Sequence, residues 1–177
     1  MRHIPLQLFL ACLLITTGCF GPNLRTWKNS NLVARGSIKS GERITYYNIS
    51  IGTDESPYDG QPPFAIRLSN GIVLSSEDFS KPTIREIFLT QIKPNDRGVW
   101  HDQEAGTSEY WFHGVSFTYR EDRLITVRIM GMRSSEKTYT PEIAESKAGL
   151  FIPFPISEKC LNRLFGPPDG INDHFAW

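Results

Sequence analysis

The chain has 177 residues with 19 basic and 19 acidic side chains, so no basic excess marks a nucleic-acid surface. Hydrophobic residues at 40% and aromatics at 12% are ample for a buried core, which excludes global disorder. No run of five like charges occurs, which excludes a polybasic membrane patch and an acidic tail.

The chain opens with Met1-Arg2-His3, runs almost unbroken apolar from Leu6 to Ile15, and continues Thr16-Thr17-Gly18-Cys19. A basic start, an apolar stretch of about ten residues and small residues before a cut site have the layout of a secretory signal. The stretch is too short to span a bilayer, which takes about 20 apolar residues. The Thr-Thr-Gly-Cys ending resembles the lipobox of bacterial prolipoproteins, with Thr16 where that family usually carries Leu. The resemblance implies that Cys19 takes a diacylglyceryl group, that residues 1–18 are removed, and that the new amine is acylated, palmitate being the usual label. Two or more acyl chains hold a protein stably, at about 0.8 kcal/mol per buried CH₂. Phe20, rather than Asp, follows the cysteine; by resemblance to enterobacterial sorting this implies the outer membrane, inner leaflet, facing the periplasm. Removing 1–18 leaves 159 residues with 18 basic and 19 acidic side chains, a normal size for one domain. Cys12 leaves with the signal, so Cys160 stands alone and is expected as a small buried hydrophobe.

Residues 19–41 are polar and rich in Gly, Asn and Ser, and read as a flexible tether with an excursion near 25 Å at roughly 5–6 Å × √n. Leu32-Val33-Ala34 reads equally as a short docked strand. The domain is drawn over 42–177. Arg43 to Ile51 is β-branched and aromatic, a strand. Thr53 to Pro63 is a loop. Phe64 to Ser75 carries Asn70-Gly71 between two apolar runs, the signature of a hairpin with a type I′ turn. Thr83 to Ile92 reads as a helix, with Thr83 and Glu86 as a capping box and Ile84, Ile87, Phe88 and Ile92 on one face. Pro94 ends it.

A polar loop is expected around Asp102 to Thr107, followed by strands over 109–112, 115–120 and 123–130. His113-Gly114 and Glu121-Asp122 make the tight connections. Period-two alternation in the last two strands describes an antiparallel meander on a core. Arg133 to Lys147 reads as loop. Leu150 to Ile156 carries Pro153 and Pro155 and reads as an edge strand or extended crossing. Ser157 caps a short helix through Phe165, with Cys160, Leu161, Leu164 and Phe165 facing inward, and Gly166-Pro167-Pro168 stops it. Phe175 and Trp177 are expected to dock on the domain. The segments 72–96 and 150–169 share a strand, a capped helix and a Pro-containing turn, a hint of duplication.

Leu164-Phe165-Gly166-Pro167-Pro168-Asp169 resembles the helix-end motif of small outer-membrane assembly lipoproteins of the BamE/SmpA type. In that family a three-stranded meander follows the motif, whereas here the expected meander precedes it. The likeness implies an α+β fold and does not carry function.

The densest polar cluster is His101-Asp102-Gln103-Glu104, with Glu109 and His113 close behind. His101, Glu104 and His113 are of the residue types that hold zinc, but no HExxH or paired-Cys spacing accompanies them. Gly-x-Ser-x-Gly, Ser-x-x-Lys and phosphate-binding glycine loops are missing, and Asp173-His174 are chain neighbours that point apart in extended structure. Tyr110, Phe112, Tyr46 and Tyr47 are read as an aromatic partner surface, with Trp111 inside. The sequence thus describes an α+β domain, an antiparallel sheet of five or six strands with two short helices on one face, lipid-anchored through Cys19. The expected role is non-catalytic binding or scaffolding of an envelope protein partner, with no cofactor, no catalytic residue, no metal and no nucleic acid. Two alternatives stand beside it: a periplasmic enzyme built on His101, Glu104 and His113, and an immunity lipoprotein that neutralises a toxin.

Overall fold

The computed structural model describes residues 24–27, 32–40, 43–133, 138–168 and 170–172. Cys19, the signal segment, Asp173-His174, Phe175 and Trp177 lie outside the described residues. Along the chain run β1 (Leu24–Trp27), β2 (Leu32–Ser40), β3 (Arg43–Ile51), β4 (Ala65–Arg67), β5 (Val73–Ser75) and α1 (Lys81–Thr90). They are followed by β6 (Arg97–Asp102), β7 (Thr107–Phe112), β8 (Val115–Arg120), β9 (Arg123–Met130), β10 (Met132–Arg133) and β11 (Thr138–Tyr139). The rest comprises β12 (Glu142–Ala144), β13 (Ile152–Pro153), β14 (Ile156–Ser157), α2 (Glu158–Phe165) and β15 (Gly170–Asn172). The architecture is α+β, an antiparallel sheet with two short helices.

The main sheet runs β15-β1-β2-β3-β9-β8-β7-β6, with β14 also on β3, which makes nine strands. Beside it lies a four-stranded sheet, β13-β12-β4-β5. The meander over β7, β8 and β9 falls where its alternation places it, and its inward residues Val115, Phe117, Tyr119, Ile125, Val127 and Ile129 are all buried. At the first connection, His113 and Gly114 both take positive φ (50° and 81°), the backbone that a two-residue type I′ turn requires.

The tether expected over 19–41 is corrected within the described residues. Positions 24–27 and 32–40 are strands, and β2 pairs with β3 along its length. The docked alternative for Leu32-Val33-Ala34 is the one realised: Leu32 lies opposite Ile51 and Ala34 opposite Ile49, and all four are buried. Apolar residues two apart in a polar segment were enough to secure a place on the core face. Two further strands go beyond the expectations, one where 97–101 carries no expected element and one inside 133–147, which reads as loop. Arg97–Asp102 forms β6, and Glu142–Ala144 forms β12, paired with both β4 and β13. Ile143 and Ala144 are its only apolar residues and both are buried, a signal too short for periodicity to register.

The caps also differ in detail. Helix α1 begins at Ser80, whose hydroxyl accepts from the Thr83 N–H, with Pro82 in the first turn, so Thr83 is a capped residue rather than the cap. Ser157 caps α2 as expected, accepting from the Cys160 N–H. In the 64–75 hairpin the turn closes by Gly71 N–H to the Leu68 carbonyl, and Gly71 (φ 90°) has positive φ while Asn70 does not. This is a turn followed by a left-handed glycine, not a type I′ turn. Segments 72–96 and 150–169 occupy unlike places, since β5 pairs with β4 in the smaller sheet and β14 with β3 in the main one.

One aromatic chain joins these parts. Ring centroids step from Phe165 of α2 to Phe64 (6.2 Å), Phe79 (5.3 Å), Phe117 of β8 (5.1 Å), Phe112 of β7 (5.8 Å) and Phe88 of α1 (6.2 Å). Tyr119, buried on β8, donates its hydroxyl to the Phe79 carbonyl at 2.8 Å. Leu161 and Phe165 are the buried residues of α2, while Cys160 and Leu164 are half-buried and packed against the core. Phe79→Ala removes the middle ring and should cost about 3–5 kcal/mol, read as a shifted urea midpoint with unchanged slope.

Burial also governs two phenols. Desolvation pushes Tyr58 up to about 12, with Asp59 adding to the rise and a Ser76 hydrogen bond opposing it. Desolvation, then Tyr110, raises Tyr119 as well. A phenol kept neutral in the folded state but free to ionise in the unfolded one stabilises fully below pH ~10 and less above it. Stability should therefore be flat to about pH 10 and then fall by about 1.4 kcal/mol per pH unit for each such tyrosine. Urea midpoints from pH 8 to 11.5 check this, and Tyr58→Phe should flatten part of the decline.

Candidate interaction surface

Strand β6 closes one end of the main sheet, and among the described residues it is the strand that carries exposed apolar side chains on both faces. Its placement follows from α1. The helix ends at Thr90, Ile92 is buried, and a single turn over Pro94–Asp96 leads into Arg97. The Arg97 guanidinium donates to the Phe88 carbonyl and lies 4.8 Å over the Phe88 ring, fastening the start of β6 to the helix. At the far end the Asp102 carboxylate accepts from the backbone N–H groups of Glu104 and Ala105, each at 3.0 Å, and shapes the connection to β7.

The β6–β7 register sets Arg97 opposite Phe112, Gly98 opposite Trp111, Val99 opposite Tyr110 and Trp100 opposite Glu109. Tyr110 and Phe112 turn inward onto Phe88, at 5.4 and 6.2 Å, so Trp111 between them must turn outward. The expectation that Trp111 lies inside is corrected: it is 39% exposed. The expected partner surface is corrected too. Tyr46, Tyr110 and Phe112 are buried, and only Tyr47 of the four is exposed. Tyr46 additionally donates its hydroxyl to Glu158 of α2 at 3.0 Å.

Other aromatics form a surface instead. Trp100 is 56% exposed on the face it shares with Trp111, and the two are diagonal neighbours across the strand pair. Gly98 makes room between them. A Cβ at Gly98 would meet Nε1 of Trp111 at 2.2 Å and Cε2 at 2.7 Å, so the indole lies directly on the glycine backbone. On the opposite face Val99 is 46% exposed and Leu89 of α1 is 54% exposed. These two, with buried Phe88 and Tyr110 and the polar Arg85 and His101, line a groove of about 410 Å³ between helix and strand. Lys81 also lines the groove, but its ammonium is held by the Glu121 carbonyl and sits 3.5 Å from the Asp122 carboxylate.

The residues considered for metal chemistry do not come together. His101 is exposed and shares a 3.0 Å hydrogen bond with Ser108 across the strand pair. Glu104 is exposed in the following loop. His113 is buried at the other end of β7, five residues of strand from Ser108, about 17 Å away. Its ring meets Tyr139 edge-on at 5.4 Å. Among the described residues no group of three His, Cys, Asp or Glu side chains is placed to hold a metal ion.

The remaining titratable features are structural. Burial raises the Asp78 carboxyl, but hydrogen bonds from Ser75 and from the Lys147 ammonium at 2.9 Å outweigh it and hold the group below its usual range. Asp78 thereby caps the short turn before α1. Arg67 pairs with Glu142 at 2.6 Å across β4 and β12, on a partly exposed flank where such a pair is worth at most about 1 kcal/mol. A polar cleft of about 490 Å³ on the outer sheet face is lined by Asn48, Ser50, Thr126 and Arg128, with no nucleophile–base pair among them.

Sequence reasoning missed Trp100 and the glycine beneath Trp111. Parity was the available signal: with Tyr110 and Phe112 inward, Trp111 has no choice but the outer face. No family model, no curated protein and no solved structure matches this chain.

Gly98→Ala should displace the Trp111 indole and cost about 1–3 kcal/mol. Tryptophan emission should shift to the red, and the shift should vanish in a Trp111→Phe background; identical shifts in both backgrounds contradict the packing described.

Proposed function

We propose that this chain is a lipid-anchored envelope lipoprotein that binds a protein partner and performs no catalysis of its own. The anchor is Cys19, on the strength of the basic start, the short apolar segment and the Thr-Thr-Gly-Cys ending. No described helix is long and apolar enough to cross a membrane, so attachment in this reading falls to the lipid. The docking surface is the β6 edge with Val99, Trp100 and Trp111, in place of the tyrosines first expected.

The observation that carries the binding reading is the apolar exposure on both faces of one terminal strand. Single exposed hydrophobics are ordinary, but Trp100 with Trp111 on one face and Val99 with Leu89 on the other flank the same open edge, a grouping that marks an interaction site. A catalytic site would call for converging polar groups in a cavity, and His101, Glu104 and His113 are dispersed. The outer membrane, inner leaflet, is the assigned location, on the basis of Phe20 after the lipidated cysteine.

Cells grown with radioactive palmitate should yield a labelled band for the wild-type chain and none for Cys19→Ser. The variant should also leave the membrane pellet for the soluble fraction. Equal label, or equal pelleting, in both would falsify the anchor.

A further inference from the structure

The protein's sheet edges are not alike. In the smaller sheet, β13 carries Pro153, which cannot donate to a neighbouring strand, and β5 is only three residues long. At the far end of the main sheet β15 is also three residues long. Short strands and proline are the usual protections against edge-to-edge pairing. Strand β6 has neither: it is six residues long, has no proline and no lysine, and its register with β7 is unbroken. Its centre, Gly98-Val99-Trp100, is uncharged. Among the described residues no strand pairs with its outer side.

We propose that β6 pairs antiparallel with β6 of a second copy of this chain, about a two-fold axis through Val99. The register follows from geometry. Two-fold pairing in a continuous sheet puts opposite residues on the same face, so the axis must fall on a residue and not between two. Centring on Trp100 would set two indoles directly opposite and Val99 against His101. Centring on Val99 sets Trp100 opposite Gly98 of the second copy, the one position in the strand without a side chain.

Trp111 already lies on Gly98 from the other side. Each Trp100 would therefore reach the Trp111 of the second copy, and the aromatic row would cross the boundary on the outer face. On the helix face Val99 meets Val99, with Leu89 of each copy alongside in the groove. Arg97 falls opposite His101, but its guanidinium is turned onto the Phe88 carbonyl and ring, away from that contact. With 18 basic and 19 acidic side chains after residues 1–18 are removed, the chain adds almost no long-range repulsion between copies. Main-chain hydrogen bonds on the open edge supply affinity, and the Trp–Gly alternation supplies register.

The inference rests on reading the β6 edge as the docking surface, and it is independent of the lipid. The test uses the full chain, extracted from membranes in mild detergent. Directly opposed residues in an antiparallel pair have Cβ atoms about 4.5–5.5 Å apart, close to disulfide reach. Val99→Cys should form a reducible homodimer under mild oxidation, while Trp100→Cys and His101→Cys should give about tenfold less. In sedimentation the wild type should be dimeric. Val99→Lys sets two ammonium groups opposite each other and should weaken self-association about tenfold or more with an unchanged far-UV spectrum. A wild type that stays monomeric, a dimer indifferent to Val99→Lys, or stronger cross-linking from Trp100→Cys each overturns the proposal. Cross-linking of Val99→Cys to a different chain overturns self-pairing and leaves the docking surface standing. No cross-link of either kind removes both.

Discussion

The contact on which the other parts depend is the meeting of Phe79 with strand β8. Phe79 sits between Phe64 and Phe117, and its carbonyl accepts the buried Tyr119 hydroxyl. A buried hydroxyl without a partner costs on the order of 1–3 kcal/mol, so this bond fixes where the chain can lie as it enters α1. Once Phe79 is placed, Ser80 caps the helix, and Ile84, Ile87 and Phe88 face the sheet. Phe88 in turn receives Tyr110 and Phe112 on its ring and Arg97 on its carbonyl. The position of β6, and hence of the exposed aromatic edge, is set from the core outward.

The same chain explains what the sequence made legible. Long segments with clean alternation, such as 115–120 and 123–130, state their structure outright because the inward apolar residues find the core, although outward Ser116 is itself buried opposite Trp111 with no hydrogen-bond partner for its hydroxyl among the described residues. The helix capped by Ser157 is equally plain. Legibility failed where a strand owes its existence to partners distant in sequence. Glu142–Ala144 has two apolar residues, and it becomes a strand because β4 lies more than seventy residues upstream with a free edge. Residues 32–40 look polar, and they are recruited by β3 through Leu32 and Ala34.

The candidate surface was harder to read for a related reason. Composition alone nominates tyrosines and phenylalanines together, whereas the pleat separates them residue by residue. Tyr110 and Phe112 went to the core, Trp111 to the surface, and Trp100 joined it from a strand that Gly98, His101 and Asp102 keep from reading as one. Glycine at 98 is informative only in pairs. By itself it weakens a strand, but opposite Trp111 it is the residue that lets an indole lie flat. The proposed role as an anchored binding protein is built on that edge and on Cys19, two features that the sequence presents more than seventy residues apart.

If the Phe79 contact makes the two sheets a single cooperative unit, native-state amide hydrogen exchange will show it. Amides at Ile66 and Ile143, in the smaller sheet, should open with the same free energy and the same denaturant dependence as those of Phe117 and Val127 in the main sheet. Opening of Ile66 and Ile143 at markedly lower free energy, while Phe117 and Val127 stay protected, would mean that the smaller sheet unfolds on its own and that the aromatic chain does not join them.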